Sequence, residues 1–325
     1  MTETPILDIR NLSVHFKVYG GVLKVLDGIN LVVQRGQKVG LVGETGCGKT
    51  TSMRAALRTL PMPPARIPGG EILFEGQDVL KMNGSQLRRV RGRGMAMVFQ
   101  DPTAALNPVF SVGQQIEAVV RYSTDSRLSR RETRKRAIVP LKEVALPDPE
   151  RMLDTYPVQL SGGMRQRICI AMALVANPRL LIADEPGTSL DVTIQDQILR
   201  LLRNLVEEKG LSVIVITHTL GVVRELTDRV YVMYAGNMVE VAATPELFRE
   251  PCHPYTRGLM AAVPKLSGGG VSDGIPGRLP TYMHPPPGCR FHPRCPEAIK
   301  GLCDVEDPPD FEPEPQHWTA CWLYR

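Results

Sequence analysis

The sequence of 325 residues contains no run of 18 apolar residues, so no segment has the length a membrane-spanning helix needs. The stretch Met1 to Leu7 holds no basic segment leading into an apolar run, and no secretory leader is expected. No internal repeat at a fixed period is present, which argues against a solenoid or propeller. A concentrated basic surface is also missing. Lys and Arg outnumber Asp and Glu by 39 to 34, for a net charge of +5, but they are spread along the chain. The densest stretch, Arg127 to Arg136, has five arginines and a lysine interrupted by Glu132. No aromatic residues alternate with it to stack on bases, so it reads as the solvated face of a helix and nucleic acid is not an expected partner. Seven cysteines without a leader point to a reducing compartment, where clustered thiols suggest metal binding more than disulfides.

What is present resembles an ordinary globular chain: 43% apolar and 22% charged residues, enough for a large domain plus a smaller one. Alternating polarity predicts strands at Ile6 to Ile9 and Leu12 to Phe16, with a turn at Gly20-Gly21 and a short strand at Leu31 to Val33. An apolar strand from Lys38 to Val42 leads into a glycine-rich loop, followed by a helix over Ser52 to Leu60 that stops at Pro61. Four prolines and two glycines make Pro61 to Gly70 a connection. Strand-like runs recur at Met95 to Phe99, Leu180 to Ala183, Val213 to Thr217 and Val230 to Tyr234. A helix is expected over Ile194 to Lys209, and a mostly helical block over Val112 to Ala176, with breaks at Pro140 and Pro147. Strands alternating with helices predict an α/β fold with a parallel sheet. After Glu250 the composition turns to Pro, Gly, Cys and His and the periodicity is lost.

The residues Gly43-Glu44-Thr45-Gly46-Cys47-Gly48-Lys49-Thr50, followed by Thr51, match the P-loop pattern between a strand and a helix. Its glycines let the backbone wrap so that N–H groups face phosphate oxygens, and the helix start adds partial positive charge. Lys49 is expected to reach the β- and γ-phosphates of ATP, and the Thr50 hydroxyl to ligate Mg²⁺. Such a site needs an acidic group ending a second buried strand. Leu180-Leu181-Ile182-Ala183-Asp184-Glu185 supplies two: Asp184 to hold Mg²⁺ through water and Glu185 to polarise the attacking water.

The string Leu160-Ser161-Gly162-Gly163-Met164-Arg165-Gln166-Arg167 resembles the signature motif of ABC ATPases. Ser161, Gly162 and Gly163 open a helical run, which makes them a second anion site at a helix start. The resemblance implies that each subunit's signature closes over its partner's nucleotide. It also implies roles for Gln100, as the glutamine contacting Mg²⁺ and water; for Ser189-Leu190-Asp191, as the D-loop; and for His218, as the switch histidine at the γ-phosphate. Phe16, or alternatively Tyr19, would stack on adenine. Gly187, Ser189 and Thr219 stand where the family more often has Thr, Ala and Asp. The fold so implied is a P-loop NTPase (RecA-like core) with an antiparallel β subdomain and an inserted helical subdomain at about 101–178. With it go an ATPase domain over 1–250 and a small irregular Cys-rich C-terminal domain over 251–325.

Further strings resemble the oligopeptide, dipeptide and nickel importer branch. They are Gln100-Asp101-Pro102, Leu106-Asn107-Pro108, Tyr156-Pro157, Pro251-Cys252-His253-Pro254-Tyr255-Thr256, Pro287-Gly288-Cys289 and Phe291-His292-Pro293-Arg294-Cys295. The resemblance implies an ATP-hydrolysing subunit, peripheral on the cytoplasmic face of the inner (plasma) membrane, powering uptake of peptides or related small solutes. Its partners would be a second ABC ATPase subunit (paralogue or self), two transmembrane permease subunits and, indirectly, an extracytoplasmic solute-binding protein. The loop Asp101 to Val112, with apolar Leu106, Val109 and Phe110, would receive a permease's coupling helix. The alternative is an ABC ATPase of a soluble assembly such as carbon–phosphorus lyase; translation or DNA-repair ABC proteins usually carry two cassettes or a long insertion.

Four cysteines, Cys289, Cys295, Cys303 and Cys321, fall in the last 37 residues, with gaps of 5, 7 and 17. Zinc sites usually pair cysteines two to four apart, whereas an iron–sulfur cluster is less tied to one spacing. The resemblance implies a [4Fe–4S] cluster on these four. Zinc, recruiting His292 or His317, and a reduced cluster without metal stay open. Cys47 and Cys169 read as filler.

Overall fold

The computed structural model describes residues 4–124, 128–188, 190–262 and 274–325; Arg127 and Ser189 lie outside them. The chain divides into two compact units, Met1–Lys81 with Val215–Arg325 and Met82–Ile214.

In the first unit an antiparallel sheet runs in the order Gly21–Val33, Leu7–Val18, Ala65–Phe74, Gln77–Asp78. The two strands expected before Gly20 are one strand, Leu7–Val18, bent at Asn11 (φ 46°), where its register with both neighbours shifts. Strand Gly21–Val33 is likewise longer than the three residues expected, because it follows its neighbour from Val18↔Gly21 to Leu7↔Val33. The expected connection Pro61 to Gly70 becomes strand from Ala65 onward. Pro68 is tolerated because Gln77–Asp78 pairs only with Leu73 and Phe74, leaving an edge where a missing N–H costs nothing.

The unit's other strands run Phe311–Glu314, His317–Thr319, Asn237–Ala243, Arg229–Tyr234, Lys38–Val42. Lys38–Val42 and Arg229–Tyr234 pair in parallel and are almost wholly buried, as expected of strands covered on both faces. The described residues after Glu250 fall in this unit. Helix Pro254–Ala261 is capped by His253, whose Nδ1 accepts from the Tyr255 N–H at 3.0 Å. Strand His317–Thr319 pairs with Asn237–Ala243 through Glu240↔Thr319 and Val241↔Trp318. Tyr234 meets Tyr255 and Phe291 edge to face in the core, with ring centroids 4.7 and 5.0 Å apart, and Tyr255 and Phe291 are tilted against each other at 5.4 Å.

In the second unit Met95–Val98 pairs in parallel with Leu180–Asp184, amid helices Val112–Ser123, Arg130–Glu143, Gly162–Leu174 and Val192–Lys209. Ser111 and Ser129 form capping boxes with Gln114 and Glu132, which set where two of these helices start. The expected break at Pro140 does not occur. Pro140 lies in the last turn of Arg130–Glu143, one turn after the exposed Arg136, while Ala137 and Leu141 are buried and hold the helix in place. The basic residues Arg130, Arg131, Lys135 and Arg136 are exposed. Strand Ser212–Thr217 leads the chain back to the first unit.

Candidate nucleotide site

The P-loop emerges from the buried strand Lys38–Val42. Gly43 adopts φ 149°, and a Cβ there would run into the Met233 carbonyl, so only glycine lets the loop leave the sheet this close to its neighbour. The helix that follows is Lys49–Ala56, starting and ending earlier than expected, with Lys49 itself as its first residue. Gly48, at its N-cap in a left-handed conformation, gives no side-chain cap. Lys49 is only 5% exposed, and its ammonium donates to the carbonyls of Gly43 (2.6 Å) and Glu44 (3.0 Å). Cys47 is buried beside it, with Sγ 3.7 Å from the Lys49 Nζ; burial pushes the thiol's pKa up, against the pull of Lys49.

In the same unit His218 is exposed just beyond the strand Ser212–Thr217, where the Thr219 N–H donates to the buried Thr217 hydroxyl at 3.0 Å. Of the two aromatic candidates, Phe16 is half-buried within its strand, opposite Leu23 and Ala65, whereas Tyr19 stands fully exposed at the hairpin tip.

The second unit carries the acidic pair. Leu180–Asp184 is buried throughout; Asp184 is 3% and Glu185 7% exposed. Glu185 sits at φ 45°, a left-handed conformation that costs a non-glycine residue about 1 kcal/mol or more and is characteristic of functional sites. The parallel register explains what it meets. Val98 lies opposite Ala183, so the second residue beyond each is Gln100 or Glu185, and the Gln100 amide donates to the Glu185 carboxylate at 3.1 Å.

Ser161 caps helix Gly162–Leu174, its hydroxyl accepting from the Met164 N–H at 3.3 Å. A Cβ on Gly163 would come within 2.7 Å of Ile194 Cγ2, so this helix start lies hard against the next helix. Arg165 is turned back to the carbonyls of Pro157 and Leu160 and to the Thr103 hydroxyl. Asp191 caps Val192–Lys209 through the Ile194 N–H at 3.0 Å. Of the three apolar residues expected to be exposed after Gln100, Val109 and Phe110 are, at 74% and 48%. Leu106 is not: it is 2% exposed, because helix Pro102–Ala105 turns it inward.

The tail thiols converge. Burial raises the pKa of Cys289 to about 12 and of Cys321 to about 11, and proximity to the other cysteines adds to both. Cys169, buried in its helix, is likewise pushed up to about 12. A different group among the described residues, Glu240, Cys252 and His317, brings its potential ligand atoms within 4.8 Å of one another. There Glu240 Oε1 accepts from the Cys252 N–H (2.6 Å) and lies 2.7 Å from His317 Nε2, while Oε2 accepts from the His253 N–H (2.9 Å). This buried carboxylate is therefore well satisfied and pins the tail to strand Asn237–Ala243.

Sequence reasoning missed what surrounds the P-loop. The Glu44 N–H donates to the Tyr255 hydroxyl (2.8 Å), the Tyr282 hydroxyl donates to the Gly46 carbonyl (2.6 Å), and Arg294 pairs with the Glu44 carboxylate at 2.9 and 3.1 Å. These partners lie more than 200 residues further along the chain, and no local spacing announces them.

Comparison with known proteins settles the family. Residues 26–188 match the ABC transporter family. This chain belongs to it. Residues 239–303 also match the C-terminal region of oligopeptide/dipeptide transporters. The chain is 48% identical over 319 residues to a Sinorhizobium fredii protein named as a probable peptide ABC transporter ATP-binding protein, covering 98% of this chain and 94% of that one. It is 44% identical over 322 residues to the oligopeptide transport ATP-binding protein OppD of Bacillus subtilis, covering 98% and 89%. Among solved structures it resembles the dimeric ATP-binding cassette MJ0796 bound to ADP and Pi, at 28% identity and a TM-score of 0.65, over 73% of this chain and 98% of that one. The chain is thus an ABC ATPase with a P-loop NTPase α/β core, and it hydrolyses ATP. Among the described residues no helix is long and apolar enough to cross a membrane.

Proposed function

We propose that this ABC ATPase powers a membrane importer of peptides or related small solutes, bound peripherally at the cytoplasmic face of the plasma membrane. The observation that carries the reading is the peptide-transporter C-terminal region joined to a cassette with an intact P-loop and acidic pair. The similar proteins are peptide-transport subunits, so the carbon–phosphorus lyase alternative is set aside.

In this reading the loop Gly43 to Thr51 holds the phosphates through its N–H groups and Lys49. Phe16, half-buried on its strand, is favoured over Tyr19 for the adenine. The donors suited to Mg²⁺ are the Thr50 hydroxyl, the Asp184 carboxylate and the Gln100 side-chain oxygen, an all-oxygen set of the kind that cation prefers; bound there it would neutralise charge on the phosphates. Glu185, oriented by the Gln100 amide, takes a proton from the water that attacks the γ-phosphorus, while ADP leaves and His218 contacts the departing phosphate. Ser161, Gly162 and Gly163 close over the nucleotide of a second ATPase, either a paralogue or a second copy. Two permease subunits dock through the loop bearing Val109 and Phe110, and a solute-binding protein acts through them.

In this reading Cys289, Cys295, Cys303 and Cys321 would hold a [4Fe–4S] cluster, for which all-thiolate ligation is suited. Such a cluster would staple a tail with few apolar residues of its own.

Co-purification from solubilised membranes tests the importer reading. The expected result is an assembly with two hydrophobic permease subunits and solute-stimulated ATP hydrolysis. Recovery with soluble enzymes alone contradicts it.

A further inference from the structure

The P-loop carries an acidic residue, Glu44, in a loop whose task is to hold an anion. A carboxylate beside a triphosphate opposes binding unless its charge is offset. The structure supplies the offset from the far end of the chain. Arg294 is almost fully buried, its side chain 6% exposed, and its guanidinium grips Glu44 with both outer nitrogens: Nη1 to Oε2 at 2.9 Å and Nη2 to Oε1 at 3.1 Å. The guanidinium's remaining N–H groups are also used. Nε donates to the Pro276 carbonyl (2.8 Å), Nη2 to the Ile275 carbonyl (3.0 Å) and Nη1 to the Tyr234 hydroxyl (3.4 Å). With all five donors engaged and a forked pair on the carboxylate, Arg294 is held in place and cannot swing to solvent. Burial works against its charge, yet the bonds to Glu44 and Tyr234 keep it firmly protonated.

We propose that Arg294 is a positioning residue for ATP binding: it neutralises Glu44 inside the P-loop and so makes the loop receptive to the nucleotide's phosphates. Neighbouring contacts hold the same loop from the same segment. Tyr282 fixes the Gly46 carbonyl, and because a trans peptide sets C=O and N–H on opposite sides, it also fixes the direction of the Cys47 N–H. Arg294 directly precedes Cys295, so this segment of the tail is built into the nucleotide site rather than appended to it.

The inference rests on the reading of Gly43 to Thr51 as the ATP site, and one experiment separates the two. ATP affinity is measured by calorimetry on the full chain carrying Glu185→Gln, which prevents turnover during the titration. Charge arithmetic gives a distinct result at each corner of a double-mutant cycle. Arg294→Gln leaves Glu44 unopposed and weakens ATP binding about tenfold, less so as salt is raised. Glu44→Gln leaves Arg294 unopposed and tightens binding about threefold. The double variant restores neutrality and lies within about threefold of the parent. Arg294→Lys, which keeps the charge but not the fork, also stays within about threefold, and serves where Arg294→Gln does not fold.

Unchanged affinity in Arg294→Gln overturns the proposal. So does a double variant as weak as Arg294→Gln alone, or a tenfold loss in Arg294→Lys, since either would place the effect in scaffolding rather than charge. Lys49→Ala in the same assay is the control on the underlying reading: affinity intact there would mean the P-loop is not the ATP site, whatever Arg294 does.

Discussion

The two helix starts that bear the anion-binding motifs are built differently. The P-loop helix opens on Gly48 with no side-chain cap and has a cation, Lys49, as its first residue. The signature helix is capped by its own Ser161, and the arginine in its first turn, Arg165, is tied back to Pro157, Leu160 and Thr103. Both starts offer backbone amides and the helix dipole; the first adds the charge of Lys49, the second only the hydroxyl of Ser161. In the proposed reading the first binds a nucleotide by itself, and the second completes one already held.

The largest expected effect lies outside both starts. Glu185→Gln should slow hydrolysis about a hundredfold or more while nucleotide still binds, because it removes the proton acceptor and leaves the anion sites intact. Phosphate release and equilibrium binding, measured side by side, check this. Next, Lys49→Ala should weaken ATP binding about tenfold to a hundredfold, the worth of charge-assisted hydrogen bonds to phosphate. Ser161→Ala sharpens the comparison most. It removes a cap worth about 1 kcal/mol, so turnover of the assembled ATPase pair should fall about fivefold, with ATP affinity of the isolated chain unchanged. Equal losses of affinity in Lys49→Ala and Ser161→Ala would erase the distinction between the two starts. The smallest effect is at the base: Phe16→Ala should cost about 1 kcal/mol of ATP affinity, and Tyr19→Ala nothing measurable, in the same titration.

The phosphate-binding loop was legible in the sequence because its chemistry needs fixed residue types at fixed spacing next to a strand. The resemblance gave Gln100 a place at Mg²⁺ and the attacking water but not its bond to Glu185; the cause of that meeting is the parallel pairing of Val98 with Ala183, which no local pattern encodes. Arg294 was not legible at all as a P-loop partner, since 250 residues separate it from Glu44. The tail strands escaped for a related reason. Phe-Glu-Pro-Glu at Phe311–Glu314 has no strand-like alternation, and its pairing is imposed by the neighbouring His317–Thr319. Pro140 misled in the opposite direction, since burial of Ala137 and Leu141 outweighs one lost hydrogen bond in the final turn.

In the proposed reading one chain holds the parts of two half-sites rather than one whole site. Turnover per chain, measured against chain concentration with molecular mass followed in parallel, tests it most directly. Weak hydrolysis by the dilute monomer and a rise on assembly, with a second copy or with a paralogous ATPase, are the expected result. Full turnover by a monomer, independent of concentration, would contradict it.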